Sequence, residues 1–188
     1  MKHTKKREKI NNQGLTLIEL IVTIAIIGIF GVVVMSFVTS GANFYRQASD
    51  ASTVQRSMQM TLDHIENLVI DTNKSISYSV GGQATQSDLG SQDSQEKILI
   101  LESVQGENTQ HKEILKWNPD EKKLYCNYNS DRATDMKVMA ENISAFSADI
   151  SQAVSDGIVR FQITIQKKDK EMTQTYTVTL RNQLGADS

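Results

Sequence analysis

Hydrophobic positions along this chain change pattern three times. Residues 15–38, LTLIELIVTIAIIGIFGVVVMSFV, make an apolar run of 24 residues interrupted by a single charge, Glu19. At about 1.5 Å per residue, this run predicts a helix of roughly 36 Å, long enough to cross the hydrocarbon of a bilayer. Further on, Phe44, Ala48, Ala51, Val54, Met58, Leu62, Ile65 and Val69 recur at intervals of three and four, which lines one helical face with apolar side chains. Arg46, Gln47, Asp50, Gln55, Arg56 and Gln59 fall on the other face. Together the two stretches predict one helix over residues 15–71, roughly 85 Å long, apolar all round in its first half and amphipathic in its second.

After Asp71-Thr72-Asn73-Lys74, whose polar residues suit a helix exit, the period falls to two. Residues 75–80 predict a short strand, and 81–96, rich in Gly, Gln, Ser and Asp, read as an exposed connecting loop. Ile98-Leu99-Ile100-Leu101, inside a strand over 97–102, forms a continuous apolar run of the kind covered on both faces, and the amphipathic helix can supply the cover. Residues 113–117 and 123–128 flank Asn118-Pro119-Asp120-Glu121, where proline pre-sets the backbone angle of a turn, so this region predicts a hairpin. Residues 158–166 and 173–181 alternate apolar with polar residues around the charged segment 167–171, giving a terminal antiparallel hairpin. Residues 136–140 and 145–150 are weaker strand candidates. The expected fold is α+β, a long N-terminal helix packed on an antiparallel β-sheet domain. Its segments are residues 1–14, 15–38, 39–74 and 75–188.

Charge sharpens the picture. Residues 1–14 hold five lysines and arginines against one glutamate, whereas the other 174 residues carry fifteen against twenty-one. A basic flank before an apolar span stays in the cytoplasm by the positive-inside rule, so the β-rich region is expected on the far side of the membrane. The total formal charge of −2 lacks the footprint of a dedicated nucleic-acid binder, and nucleic acid is an unsupported partner. One cysteine, Cys126, cannot close an intrachain disulfide, and no Cys/His spacing offers a zinc site.

The N-terminus admits three readings. A secretory signal has an apolar core of about 7–15 residues, and this run is longer. A plain anchor needs no acid, and a charge at mid-bilayer costs about 2–3 kcal/mol. The third reading takes the Gly14–Leu15 junction, the basic leader and Glu19 as one signal, and it alone accounts for where the acid sits.

The segment Gly14-Leu15-Thr16-Leu17-Ile18-Glu19-Leu20, followed by Ile24-Ala25-Ile26-Ile27-Gly28, resembles the class III signal of type IV prepilins and pseudopilins. The resemblance implies a type IV pilin-like fold and cleavage after Gly14 by a membrane-embedded prepilin peptidase. It further implies N-methylation of the new terminal residue, Leu15, and an assembly role for Glu19, fifth from the cut. Leu15 stands where the family more often has Phe, and Ser36 where many major pilins have Pro. The second departure points to a minor pilin or pseudopilin. The physical logic is independent of the likeness, since a buried carboxylate demands a partner. In a staggered bundle of such helices, Glu19 of one subunit can meet the Leu15 amine of another.

The absence of proline from the apolar helix, the acidic helix exit and a β-rich domain closing near Leu180-Arg181-Asn182 resemble PilW-like minor pilins and J-type pseudopilins. That likeness implies major and minor subunits as partners, together with an inner-membrane platform and a cytoplasmic assembly ATPase. The chain itself carries no GxxxxGK[ST] loop. His3, His64 and His111 form no known catalytic spacing, so an enzyme is not expected and no cofactor is implied. Asn127, Asn129, Asp131 and Asp135 gather oxygen ligands, yet Arg132 and Val138 stand where a calcium loop needs glycine and glutamate, so no metal site is expected. The leading reading is a structural subunit of a type IV pilus, a type II secretion pseudopilus or a competence pseudopilus. It is a single-pass protein of the cytoplasmic membrane that reaches a filament or the cell surface after assembly. The alternative is a membrane-anchored extracytoplasmic binding module that never polymerises.

Overall fold

The computed structural model describes residues 16–91, 94–105, 109–127 and 135–185. It is α+β, one long helix and two antiparallel sheets. The helix, α1 (Leu17–Val69), is 53 residues long and contains no proline. The chain divides into two compact units, Met1–Gln47 and Ala48–Ser188.

In the first unit every described residue is exposed, apolar ones included: Leu17 is 77% exposed, Phe30 67% and Phe37 75%. Thr23 and Thr39 hydroxyls donate to the carbonyls of Glu19 (2.6 Å) and Met35 (2.9 Å), four residues back. Such bonds settle a polar hydroxyl within its own helix.

In the second unit, the helix buries Val54, Met58, Leu62, Ile65, Leu68 and Val69 in one apolar cluster with residues of both sheets. The apolar face expected from Phe44 onward is therefore buried only from Val54. Phe44, Ala48 and Ala51 are exposed. Asn73, just past the helix, donates its amide to the Val104 carbonyl (2.9 Å) and accepts the Val104 N–H (2.8 Å), acting as a strand neighbour for one residue.

The larger sheet has six strands in the order β2-β1-β3-β4-β5-β6: β1 (Ser75–Val80), β2 (Gln83–Thr85), β3 (Lys97–Gln105), β4 (Thr109–Asn118), β5 (Lys123–Asn127) and β6 (Lys137–Glu141). The smaller has β7 (Ile143–Asp149), β8 (Ile158–Lys167) and β9 (Lys170–Thr179) in that order. The hairpins around Pro119 and after residue 167 form as expected, the latter with a shorter turn, because β9 begins at Lys170. At the first of them, the Asn118 side-chain oxygen accepts the N–H of Asp120 (3.0 Å), closing an Asx turn.

Two expectations are corrected. Residues 81–96 are not simply an exposed connector. They contain β2, Ser87 bridges Asp149, and Ile150 N–H donates to the Gln86 carbonyl (2.7 Å). The run Ile98–Leu101 is not covered on both faces, since Leu99 and Leu101 are buried while Ile98 and Ile100 stay partly exposed. The residue that continues the buried row is Lys97.

Candidate functional site

Thr16 opens the helix. Its carbonyl accepts the Leu20 N–H (3.1 Å) and its hydroxyl lies 3.4 Å from the Glu19 N–H. Thr16 and Glu19 thus stand three apart, the spacing of a capping box, and the acid falls in the first turn, where the helix dipole favours negative charge. The cap is a role for Thr16 that the apolar pattern did not bring out, although the Thr-x-x-Glu spacing encodes it.

Around Glu19 the surface is apolar: Leu17, Ile18, Leu20, Ile21 and Val22 are all more than half exposed. Among the described residues, no cation pairs with it. Gly14 and Leu15, the residues expected to be cut and methylated, lie outside the described residues, as do Asn129 and Asp131 of the oxygen-rich cluster. A carboxylate so placed is free to accept a hydrogen bond from a donor outside the described residues. Within the described residues no group of three His, Cys, Asp or Glu side chains could hold a metal ion. His64 is exposed on the helix surface, and Cys126 is buried in the core.

The second unit holds a charge that pattern reading missed. Lys97 is 1% exposed, and its ammonium lies 2.5 Å from Asp88 Oδ2 and 5.4 Å from the centre of the Trp117 ring. Asp88 Oδ1 accepts the Tyr78 hydroxyl (2.8 Å) and the Ala148 N–H (2.9 Å), while Asp88 N–H donates to the Ala148 carbonyl (3.1 Å). Trp117 Nε1 donates to the Ile143 carbonyl (3.0 Å). Residues from the 86–91 segment, the larger sheet and β7 therefore meet in one satisfied polar cluster, which fastens the two sheets together. The same segment looks from composition like a free loop, although Asp88 and the backbone of residues 86–88 attach it to β7 and the residue after it.

Other titrating groups report local geometry. The Ser151 hydroxyl donates to Asp149 (2.6 Å) and holds its carboxyl below the usual range against the cost of burial, helped by the Ser151 N–H and by Arg160. The Tyr176 hydroxyl donates to Glu66, which pushes the phenol up. Burial pushes Glu113 up. A polar cleft of about 700 Å³ lies over the outer side of the small sheet, with Trp117, Asp120, Ser144, Gln162, Glu171 and Thr173 among its walls.

Comparison with protein families matches the prokaryotic N-terminal methylation motif at residues 9–38. Comparison with curated proteins and with solved structures gives no match. The matched segment includes Gly14, Leu15 and Glu19 and ends where the 24-residue apolar run ends. Proteins with this motif are structural, the motif implies processing by prepilin peptidase and assembly with other pilins, and the apolar helix is consistent with a single-pass membrane anchor. The methylation motif at residues 9–38 and the long apolar N-terminal helix fit a type IV prepilin or pseudopilin.

Proposed function

We propose that the chain is a minor pilin or pseudopilin, a structural and non-catalytic subunit of a type IV pilus, type II secretion pseudopilus or competence pseudopilus. Prepilin peptidase removes residues 1–14 by cutting after Gly14, and the exposed Leu15 amine is methylated. Methylation keeps the amine's positive charge. Before assembly the protein crosses the cytoplasmic membrane once through residues 15–38, with residues 39–74 continuing the helix and residues 75–188 on the extracytoplasmic side. A platform protein and a cytoplasmic ATPase drive its entry into the filament, where its helix packs among those of major and minor subunits.

One observation carries this reading: Glu19 lies on an unbroken, exposed apolar helical surface with no described cation to pair with. In a lipid-like helix bundle an unpaired carboxylate is expensive, and a neighbour's terminal amine is the complementary charge. The apolar surface supplies adhesion, and the acid sets the stagger between neighbours. The test is Glu19→Val in cells that assemble filaments. Membrane insertion should be unchanged and incorporation lost, and normal incorporation would overturn the pairing. Mass spectrometry of the purified protein should find a chain starting at Leu15 with one added methyl group. An unmodified chain starting at Met1 in cells with active peptidase would refute the processing, and a bulky side chain in place of Gly14 should block it.

A further inference from the structure

Among the charged groups of the second unit, Lys97 and Asp88 approach each other in a way that an ordinary ion pair does not require. Both side chains are withdrawn from water, with 1% and 8% of their surface exposed. The Lys97 nitrogen lies 2.5 Å from Asp88 Oδ2, yet Oδ2 is a buried oxygen that makes no hydrogen bond among the described residues. Nitrogen and carboxylate are therefore close without being aligned along an N–H···O bond. The distance from Nζ to Cγ exceeds that to Oδ2 by one C–O bond at most, and atoms poised to react stand about 3–3.5 Å apart.

The other carboxylate oxygen is held differently. Asp88 Oδ1 accepts the Tyr78 hydroxyl at 2.8 Å and the Ala148 N–H at 2.9 Å. Two donors at about 2.7–3.1 Å stabilise an oxygen on which negative charge develops during acyl transfer. The fold fixes both beforehand, because Tyr78 is on β1, Ala148 is on β7, and the Asp88 N–H bonds back to the Ala148 carbonyl (3.1 Å). The Trp117 ring faces Nζ at 5.4 Å. A nucleophile, an acyl carbon and a site for an oxyanion thus meet out of water.

We propose that Lys97 and Asp88 join in an isopeptide bond, which forms without an enzyme once the chain has folded. One proton first passes from the ammonium to Oδ2, giving an amine and a carboxylic acid. Burial favours that exchange, because charges removed from water lose their solvation and the neutral pair has little to lose. The Nζ lone pair attacks Cγ, the Nζ–Cγ bond forms, and the C=O electrons move onto Oδ1, where Tyr78 and Ala148 meet the charge. A second proton goes from Nζ to Oδ2, the Cγ–Oδ2 bond breaks, and Oδ2 leaves as water while Oδ1 recovers its double bond. One ammonium and one carboxylate are consumed, and one amide and one water are produced. No oxidant, reductant or cofactor enters. The ion pair is the state before this reaction, and the product ties residues 86–91 covalently to β3. The filament reading plays no part in this inference.

Peptide mass spectrometry of the full-length protein, purified folded in detergent, tests it. Trypsin cuts after lysine, so an unlinked chain gives separate peptides of residues 75–97 and 98–112. The linked chain should resist cutting after Lys97 and give one peptide of residues 75–112, lighter by one water, with fragmentation placing a closed loop between Asp88 and Lys97. Asp88→Asn should give the same linked peptide, since a side-chain amide condenses with loss of ammonia in place of water. Lys97→Arg and Asp88→Ala should stay unlinked. Tyr78→Phe removes one oxyanion donor and should slow linkage after refolding by about 100-fold or more. Linkage of that variant at the wild-type rate would overturn the oxyanion assignment. Folded wild-type protein that keeps releasing residues 75–97 at full mass overturns the bond itself and leaves an ordinary ion pair, a result that stands even where a variant fails to fold. Loss of water that persists in Lys97→Arg, or that leaves cutting after Lys97 intact, marks a succinimide at Asp88 and overturns the bond equally.

Discussion

Glu19 and Lys97 face the same physical difficulty with opposite outcomes. Each is a charge in apolar surroundings, the one on the helix of the first unit and the other in the core of the second. Lys97 is answered from within its own chain, by Asp88 against its ammonium and by the Trp117 ring across the strand pair. Among the described residues, Glu19 finds only its own helix terminus, through Thr16 and the first-turn dipole. A charge that folding has already satisfied holds a structure together. One that folding leaves open selects a partner, and the proposed function lies with the second.

Removing the internal charge tests this contrast most strongly. Lys97→Met leaves Asp88 buried without its cation and should destabilise the second unit by about 3–5 kcal/mol in chemical denaturation. Adding Asp88→Asn, which can still accept from Tyr78 and Ala148, should recover much of the loss. If the double variant is no more stable than the single, the ion pair is not what Lys97 contributes. Glu19→Val, by contrast, should leave that unfolding curve within about 0.5 kcal/mol of wild type.

Smaller effects refine the same contrast. Asn73→Ala removes the side-chain partner of both the Val104 N–H and the Val104 carbonyl and should cost about 1–3 kcal/mol, read by the same denaturation. Trp117→Phe keeps the ring beside Lys97 but orphans the Ile143 carbonyl, with an expected loss of about 1–2 kcal/mol. The smallest effect is a pH dependence. Because the Asp149 carboxyl is held low chiefly by Ser151, its contribution is complete above the ordinary carboxylate pKa and is lost as pH falls through the depressed value. Melting temperatures of wild type and Asp149→Asn should therefore converge below about pH 4.

Periodicity made the helix, the two proline- and charge-marked hairpins and the α+β class legible, because period is a local property of the chain. The motif at residues 14–19 was equally legible, being a spacing of particular residues. Burial was less so. Alternating exposure of Ile98 and Ile100 depends on which side the helix covers, and a four-residue apolar run does not encode that. Lys97 and Asp88 look like surface charges until Tyr78, Trp117 and Ala148 come together around them. The segment 81–96 misled for the same reason, since its composition is that of a loop and its attachment rests on β2, on backbone bonds of residues 86–88 and on the Asp88 carboxylate.

The Asp88–Ala148 attachment bears on the order in which the protein folds. It closes a span of 60 residues, whereas the β8–β9 hairpin and the turn at Pro119 close spans of only a few. Closing a long span carries the larger entropy, and contacts of high sequence separation form slowly. Loop closure therefore favours the local hairpins ahead of the Asp88–Ala148 attachment, and the contacts of β9 with α1, which close spans of 110 and 118 residues, carry a larger closure entropy still.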